Sequence, residues 1–239
     1  MSTEHPLRSR FRGTDGNGTS PEGAPSAIRN FLDRYFGLLL AVSLGAGFGC
    51  GALAVFVDGL NSEGLPFLEW SAGLYVVPPV LLGRVAVRAW PATIAGSVTY
   101  LATVLGHLVV THLTVDDHNA QEYWAWLFVG LVAGAVLGFF GHRIRSHSTG
   151  VRAFAAGFPL GLIAVFLIMS VQAQVETGGR AVHMGVLLVE GLWALLILAL
   201  CRGWVARGTA VACAIALVVP FIFVLIGVFM LVWFASGDY

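Results

Sequence analysis

Glu190 is the residue best placed to do chemistry, because it interrupts the apolar run from Val182 to Ala199. At the rise of an α-helix it lies roughly 13 Å from the outer end of the predicted sixth helix, near residue 181. An ionisable side chain at membrane depth is costly to bury and marks a functional site by default. Two roles stay open. Glu190 is either a proton donor or ligand group, or a neutral acid that is hydrogen-bonded to a neighbouring carbonyl.

Other polar side chains fall in the outer half of other predicted helices, and His107 reaches a depth similar to that of Glu190. His107 lies on the third helix and Glu69 near the start of the second, while Glu122 opens the fourth and Gln172 closes the fifth. With Glu190 they predict one polar cavity in the outer half of a helix bundle. We expect Glu69, Glu190 and His107 to be its catalytic residues, although a single buried His is also common as an interhelical hydrogen-bond donor.

Aromatic residues accompany these polar positions and predict a substrate-binding wall. Beside the acids stand Trp70, Tyr123 and Trp124, and Trp193 follows Glu190 by three positions, on the same helix face. Together with Glu122, Gln172 and the mid-membrane Tyr100, we expect them to contact substrate. For Trp124 the alternative is a place in the aromatic belt at the membrane surface.

No motif in the chain indicates a metal or a cofactor. His107, His112 and His183 match no metal-site spacing, and a phosphate-binding Gly-rich loop is absent from the sequence. We therefore expect a metal-independent protein without a cofactor.

The composition indicates whether the chain folds in water or in a membrane. Of its 239 residues 57% are hydrophobic and only 11% are charged, against roughly 25% charged in a soluble domain. This excludes a soluble enzyme, a nucleic-acid binder and a disordered protein. What remains is an all-α polytopic membrane protein whose partners are the lipid bilayer and a hydrophobic small molecule.

Seven segments are long and apolar enough to span a bilayer. They run approximately over 35–57, 65–83, 92–113, 123–141, 153–173, 181–201 and 208–234. Pro78 and Pro79 should kink the second. The polar, Arg-rich residues 1–30 predict a disordered cytoplasmic tail, which leaves 31–239 as the seven-helix bundle.

Arginine placement predicts the orientation of the bundle. With the N-terminus inside, twelve arginines fall on the inner side and only Arg180 on the outer side. Seven helices then place the C-terminus outside. The absence of Lys beside abundant Ala, Gly, Val and Leu favours a bacterial source, and so a multi-pass protein of the plasma membrane.

Glycines at i, i+4 spacing predict close helix packing. The pairs stand at Gly45/Gly49, Gly47/Gly51, Gly130/Gly134, Gly134/Gly138 and Gly157/Gly161. Such stripes allow two backbones to approach closely. We expect packing within the bundle, with a homodimer through the same Gly-rich faces as the alternative.

The glycines from Gly45 to Gly51, the stretch from Trp70 to Gly83, and the run from Tyr123 to Arg143 resemble a family of small actinobacterial multi-pass proteins of unassigned function. The resemblance covers about residues 35–170.

In size and helix count the chain also resembles the small seven-helix membrane terpene cyclases. This resemblance implies proton-initiated cyclisation of a prenylated small molecule in an aromatic-lined pocket, without a metal. That group carries a Glu on its second helix, the position of Glu69, and an acid on its last helix, where residues 208–234 have none. Glu190 would then supply the second acid. The alternatives are an export or resistance transporter for a hydrophobic small molecule, and a structural membrane protein.

Overall fold

All regular secondary structure in the described part of the chain is α-helical. The computed structural model describes residues 26–59, 71–114, 120–176 and 184–236, at some positions by the backbone alone, and within them it contains seven α-helices and no strand. The helices are α1 (Ser26–Gly59), α2 (Ala72–Val85), α3 (Ala89–Thr114), α4 (Ala120–Arg143), α5 (Thr149–Glu176), α6 (Met184–Leu200) and α7 (Trp204–Ser236). The chain divides into two units after Tyr35, and the second contains α2 to α7 and most of α1.

Five of the helices are long and apolar enough to cross a membrane. The segments are Tyr35–Val55, Ala89–Leu113, Trp126–Arg143, Thr149–Met169 and Trp204–Gly227. The protein is therefore a membrane-embedded helical bundle. As far as they are described, helices α2 and α6 have 14 and 17 residues, which is about 21 and 26 Å and shorter than a typical ~30 Å hydrocarbon core; residues 177–183 before α6 are not described.

Two helix boundaries differ from those expected. Helix α1 begins at Ser26, earlier than the predicted start near Tyr35. Helix α2 begins at Ala72, directly after Ser71 in extended conformation, and continues through Pro78 and Pro79 to Val85. The earlier part of the predicted second span, residues 65–70, lies outside the described residues.

Glycine brings α1 against α3, as its spacing predicted. A Cβ atom on Gly47 or Gly51 would collide with the backbone carbonyl oxygens of Thr99 and Thr103. Gly45 and Gly49 have nothing within 4 Å of an added Cβ. One of the two overlapping glycine pairs therefore packs within the bundle, and the other faces away from it.

Glycines also bring two further helix pairs into close contact. Gly134 and Gly138 of α4 lie against the backbone of α3 at Gly96, while Gly157 and Gly161 of α5 lie against α7. Because the glycines remove side chains from these contacts, the helix backbones themselves meet.

Helix α2 lies inside the bundle, in contact with α3, α4, α5 and α6. Its Val76, Val77 and Val80 are buried in one apolar cluster with Leu137 of α4 and Ile197 of α6. A short helix in this position begins and ends among other helices, so its terminal backbone groups need partners there.

Arginine side chains hold three connectors together at one end of the bundle. Arg84 donates to the carbonyl of Leu200 at 2.8 Å, and Arg145 donates to the carbonyl of Arg84 at 3.2 Å. Arg152 donates to the carbonyl of Arg202 at 2.7 Å. Guanidinium groups at helix C-termini complement the negative end of the helix dipole. The connectors after α2, α4 and α6 therefore lie on the same side of the bundle.

Candidate functional site at the start of helix α2

Glu190 is buried at the contact between the two short helices. Its side chain is 3% exposed, and its Oε1 accepts a long hydrogen bond of 3.5 Å from the backbone amide of Gly73. Gly73 is the second residue of α2. Glu190 on α6 therefore acts as a hydrogen-bond acceptor for the first turn of α2.

The start of α2 presents further donors to the same carboxyl group. The Ser71 hydroxyl and the Ala72 amide also face Glu190. A helix N-terminus carries unsatisfied N–H groups and the positive end of the helix dipole, and both attract a carboxylate. The structural role expected for Glu190, a hydrogen bond to a carbonyl, is not the contact made; its observed partner is an amide.

Trp193 completes this side of α2. A Cβ atom on Gly73 would collide with the indole ring of Trp193, so the ring lies directly on the helix backbone. Within the part of the chain that the structure describes, three buried polar atoms here have no hydrogen-bond partner: Ser71 Oγ, Glu190 Oε2 and Trp193 Nε1. An unpartnered buried polar group costs about 1–3 kcal/mol, and a ligand that bonded these atoms would recover part of that cost.

A second polar group lies where α2 meets α3. The Tyr75 hydroxyl is 3.4 Å from His107 Nδ1, and the rings of Tyr75 and Tyr100 are 5.9 Å apart between centroids. Residues two positions apart on a helix point to different sides, so Gly73 meets α6 while Tyr75 meets α3. The first turns of α2 thus lie between an acid on α6 and a histidine on α3.

The structure gathers only some of the predicted site residues. Glu190 and Trp193 meet at Gly73, and His107 and Tyr100 meet at Tyr75. Trp124 is 73% exposed and Gln172 is also exposed, so neither side chain joins the buried groups.

Four predicted residues lie outside what the structure describes. Glu69 and Trp70 precede Ser71 in the undescribed segment 60–70, and Glu122 and Tyr123 belong to α4 but their side chains are not described. The role of Glu69 as a second acid therefore stays a prediction.

Sequence reasoning missed Ser71, Gly73 and Tyr75. A Ser before a helix is a recognisable N-cap signal, and it would have placed the start of α2 at Ser71 rather than near Leu65. The contacts of Gly73 with Glu190 and Trp193 join distant parts of the chain, and no spacing rule indicates them.

Among the described residues no group of three or more His, Cys, Asp or Glu side chains could hold a metal ion. The site is instead a hydrogen-bonding one, made of an acid, a helix N-terminus, a hydroxyl and an indole. These groups can bind a polar group, and Glu190 can accept or donate a proton.

The chain belongs to a family of unknown function, DUF6518, whose model matches residues 33–231. The match includes α2 to α6 completely and most of α7. It therefore includes the contact of Glu190 with Gly73 and that of His107 with Tyr75. No curated protein and no solved structure matches the chain.

Proposed function

We propose that this protein transports a hydrophobic small molecule, and that the solute binds where α2 and α6 meet. The observation that carries the proposal is the start of α2 inside the bundle, with Glu190 of α6 at its first amides. Short or interrupted helices that meet within the membrane are typical of binding sites in secondary transporters. Here the short helices are the second of the first three and the second of the last three.

The contact between α2 and α6 has a polar group at each end. Glu190 meets Gly73 at one end, and Arg84 donates to the Leu200 carbonyl at the other. Between these ends both helices contribute to one apolar cluster, in which Ile197 is fully buried. This arrangement suits a closed state of a route that opens when the two helices separate.

Glu190 supplies the switch in this proposal. A carboxylate is attracted to a helix N-terminus more strongly than a neutral acid is. Proton binding to Glu190 therefore weakens its hold on α2, and a solute with a polar end competes for the same amides, the Ser71 hydroxyl and the Trp193 indole. Proton and solute each bias the equilibrium between the closed and open arrangements.

A cellular efflux assay tests the transport proposal. We expect cells that make the protein to accumulate less of at least one probe from a panel of neutral and cationic lipophilic dyes than cells with an empty vector. Glu190→Gln, made at equal membrane abundance, should lose this effect, whereas Leu195→Ala, a change at a 64% exposed position on the same helix, should keep it. Equal accumulation of every probe with and without the protein would contradict the proposal.

A second candidate is a membrane terpene cyclase, favoured by the orientation of the Glu190 carboxyl group. One oxygen is bonded to the Gly73 amide, while the other has no partner among the described residues, and Trp193 lies one helical turn away. A neutral carboxyl held in this way presents its proton, and an aromatic face stabilises a cation. The test is product formation from prenylated substrates in membranes: Glu190→Gln should abolish it, and full activity would contradict it.

The membrane, the orientation and the oligomeric state of the protein are also part of the proposal. We place the protein in the plasma membrane with the N-terminus inside and the C-terminus outside. A homodimer would use Gly45 and Gly49, the glycine pair of α1 at which an added Cβ has no described atom within 4 Å. Native mass spectrometry of Gly45→Leu/Gly49→Leu beside the wild type checks that dimer.

A further inference from the structure

A lateral groove between α4 and α5 lies far in sequence from Glu190 and is not used by the proposed transport route. It has a volume of about 300 Å³ and is lined by Phe139, Phe140, Arg143, Gly150, Val151, Phe154 and Ala155. The volume is at the lower end of the range for ligand sites. It fits part of a lipid rather than a whole one.

The floor of the groove is aromatic. The rings of Phe139 and Phe140 are 5.7 Å apart between centroids, and Phe140 and Phe154 are also 5.7 Å apart. Phe154 is 45% exposed. These rings form an apolar surface that one acyl chain can cover.

Arg143 supplies the charge at the groove. Its guanidinium carbon lies 5.0 Å from the centre of the Phe139 ring. The guanidinium groups of Arg84, Arg145 and Arg152 donate hydrogen bonds to backbone carbonyls, whereas the guanidinium of Arg143 makes no hydrogen bond or ion pair with the residues that the structure describes. Its donors are therefore available to a ligand.

The surrounding connectors contain no acid that could neutralise this charge. The stretches 84–92, 142–152 and 200–208 hold seven arginines and neither Asp nor Glu. An anionic group is therefore favoured at this end of the bundle, and basic clusters beside membrane helices attract anionic lipids. The first turn of α5, at Gly150 and Val151, borders the same groove, and a helix start carries the positive end of the helix dipole.

We propose that this groove binds an anionic phospholipid, whose phosphate contacts Arg143 and one of whose acyl chains lies on Phe139, Phe140 and Phe154. Charge complementarity at Arg143 selects the headgroup, and the aromatic floor selects a lipid over a soluble phosphate. The site would tie the α4–α5 pair to the leaflet on the arginine side of the membrane.

Native mass spectrometry of the purified, delipidated protein tests the site with phosphatidylglycerol, with phosphatidylcholine of the same acyl chains, and with glycerol 3-phosphate. We expect phosphatidylglycerol to bind most tightly. Arg143→Gln should weaken its binding about fivefold, the effect of removing one basic residue near an anionic surface. The matched control is Arg88→Gln, at an exposed arginine of the same end that does not line the groove.

Three further results decide the proposal. Phe154→Ala should weaken binding of phosphatidylglycerol. The lipid-free variant should still show a thermal unfolding transition, which shows that it is folded. Equal losses in Arg143→Gln and Arg88→Gln would show a general charge effect and overturn the groove. Binding of glycerol 3-phosphate as tight as that of the lipid would overturn the choice of ligand.

Discussion

At the scale of single residues, Glu190 is distinguished by its partner rather than by its burial alone. A buried acid could have faced a cation, a carbonyl or an amide. It faces the amides at the start of α2, so its charge and the position of that helix depend on each other.

The first prediction concerns the hydrogen bond between Gly73 and Glu190. Glu190→Gln retains an acceptor oxygen and should leave the melting temperature nearly unchanged. Glu190→Leu leaves the Gly73 amide without this acceptor and should destabilise the protein by about 1–3 kcal/mol. Thermal unfolding in detergent, monitored by size-exclusion chromatography, measures the stability of both variants. Equal stability of the Leu and Gln variants would mean that the bond contributes nothing.

Cys201, in the connector after α6, gives the second prediction. It is fully buried, its Sγ lies 3.9 Å from the Arg152 carbonyl oxygen, and burial raises the pKa of its thiol despite the nearby Arg152, Arg84 and Arg207. Because the thiolate is the nucleophile and a raised pKa lowers its fraction at any given pH, alkylation should be slow.

The measurement is the rate of iodoacetamide modification against pH, with Cys50 and Cys213 replaced by Ala. The curve for Cys201 should rise at higher pH than that of an exposed cysteine introduced by Ser148→Cys in a background that also has Cys201→Ala. Coincident curves would refute the effect of burial.

At the scale of helices, glycine decides which elements touch. Two overlapping glycine pairs stand on α1, and the structure uses only Gly47 and Gly51 against α3. Composition and spacing could not choose between the pairs, because both have the same period and flanking residues of similar size.

A matched pair of substitutions tests that choice. Gly51→Ala places a Cβ against the Thr103 carbonyl and should cost about 1–3 kcal/mol, as overpacking does. Gly49→Ala enters open space and should be neutral or slightly stabilising, since Ala favours helix over Gly. Thermal unfolding of the two variants distinguishes them, and an equal loss in both would contradict the packing of α1 on α3.

Helix positions were largely predictable, because a run of about 20 apolar residues is a strong signal. The long spans α3, α4, α5 and α7 match their predicted segments. Helix α2 was the least predictable: its apolar signal merges with Leu65 to Leu68, and only the Ser71 cap marks the start described here. Its shortness is a tertiary property, since the bundle supplies the partners that a free helix start would lack.

For the whole molecule, the distribution of arginine predicts the orientation. The structure places three Arg-bearing connectors at one end of the bundle, and the positive-inside rule predicts that this end is cytoplasmic. A reporter fused after Tyr239 should therefore read as external, and one inserted between Arg143 and Arg152 as cytoplasmic. A cytoplasmic reading at Tyr239 would contradict the count of seven spans.

The candidate site shows the limit of reasoning from sequence at this scale. Glu190 and Trp193 were found because an acid in an apolar run is rare and its neighbour at i+3 shares its face. Their meeting with Gly73 depends on α2 and α6 lying side by side in the fold. Spacing along one chain does not specify that contact, and the same holds for Tyr75 with His107.

The accessibility of Ile197 tests the transport proposal most directly. In a protein with Cys50, Cys201 and Cys213 replaced by Ala, Ile197→Cys is treated in membranes with a charged, water-soluble methanethiosulfonate reagent. Ile197 is fully buried and Leu195 is 64% exposed on the same helix, so Leu195→Cys serves as the lipid-facing control and Ser148→Cys as the reactive one. If α2 and α6 separate to pass a solute, Ile197→Cys reacts measurably faster than Leu195→Cys, and adding Glu190→Gln changes its rate. An Ile197→Cys protein that folds and yet reacts no faster than Leu195→Cys would contradict transport between these helices.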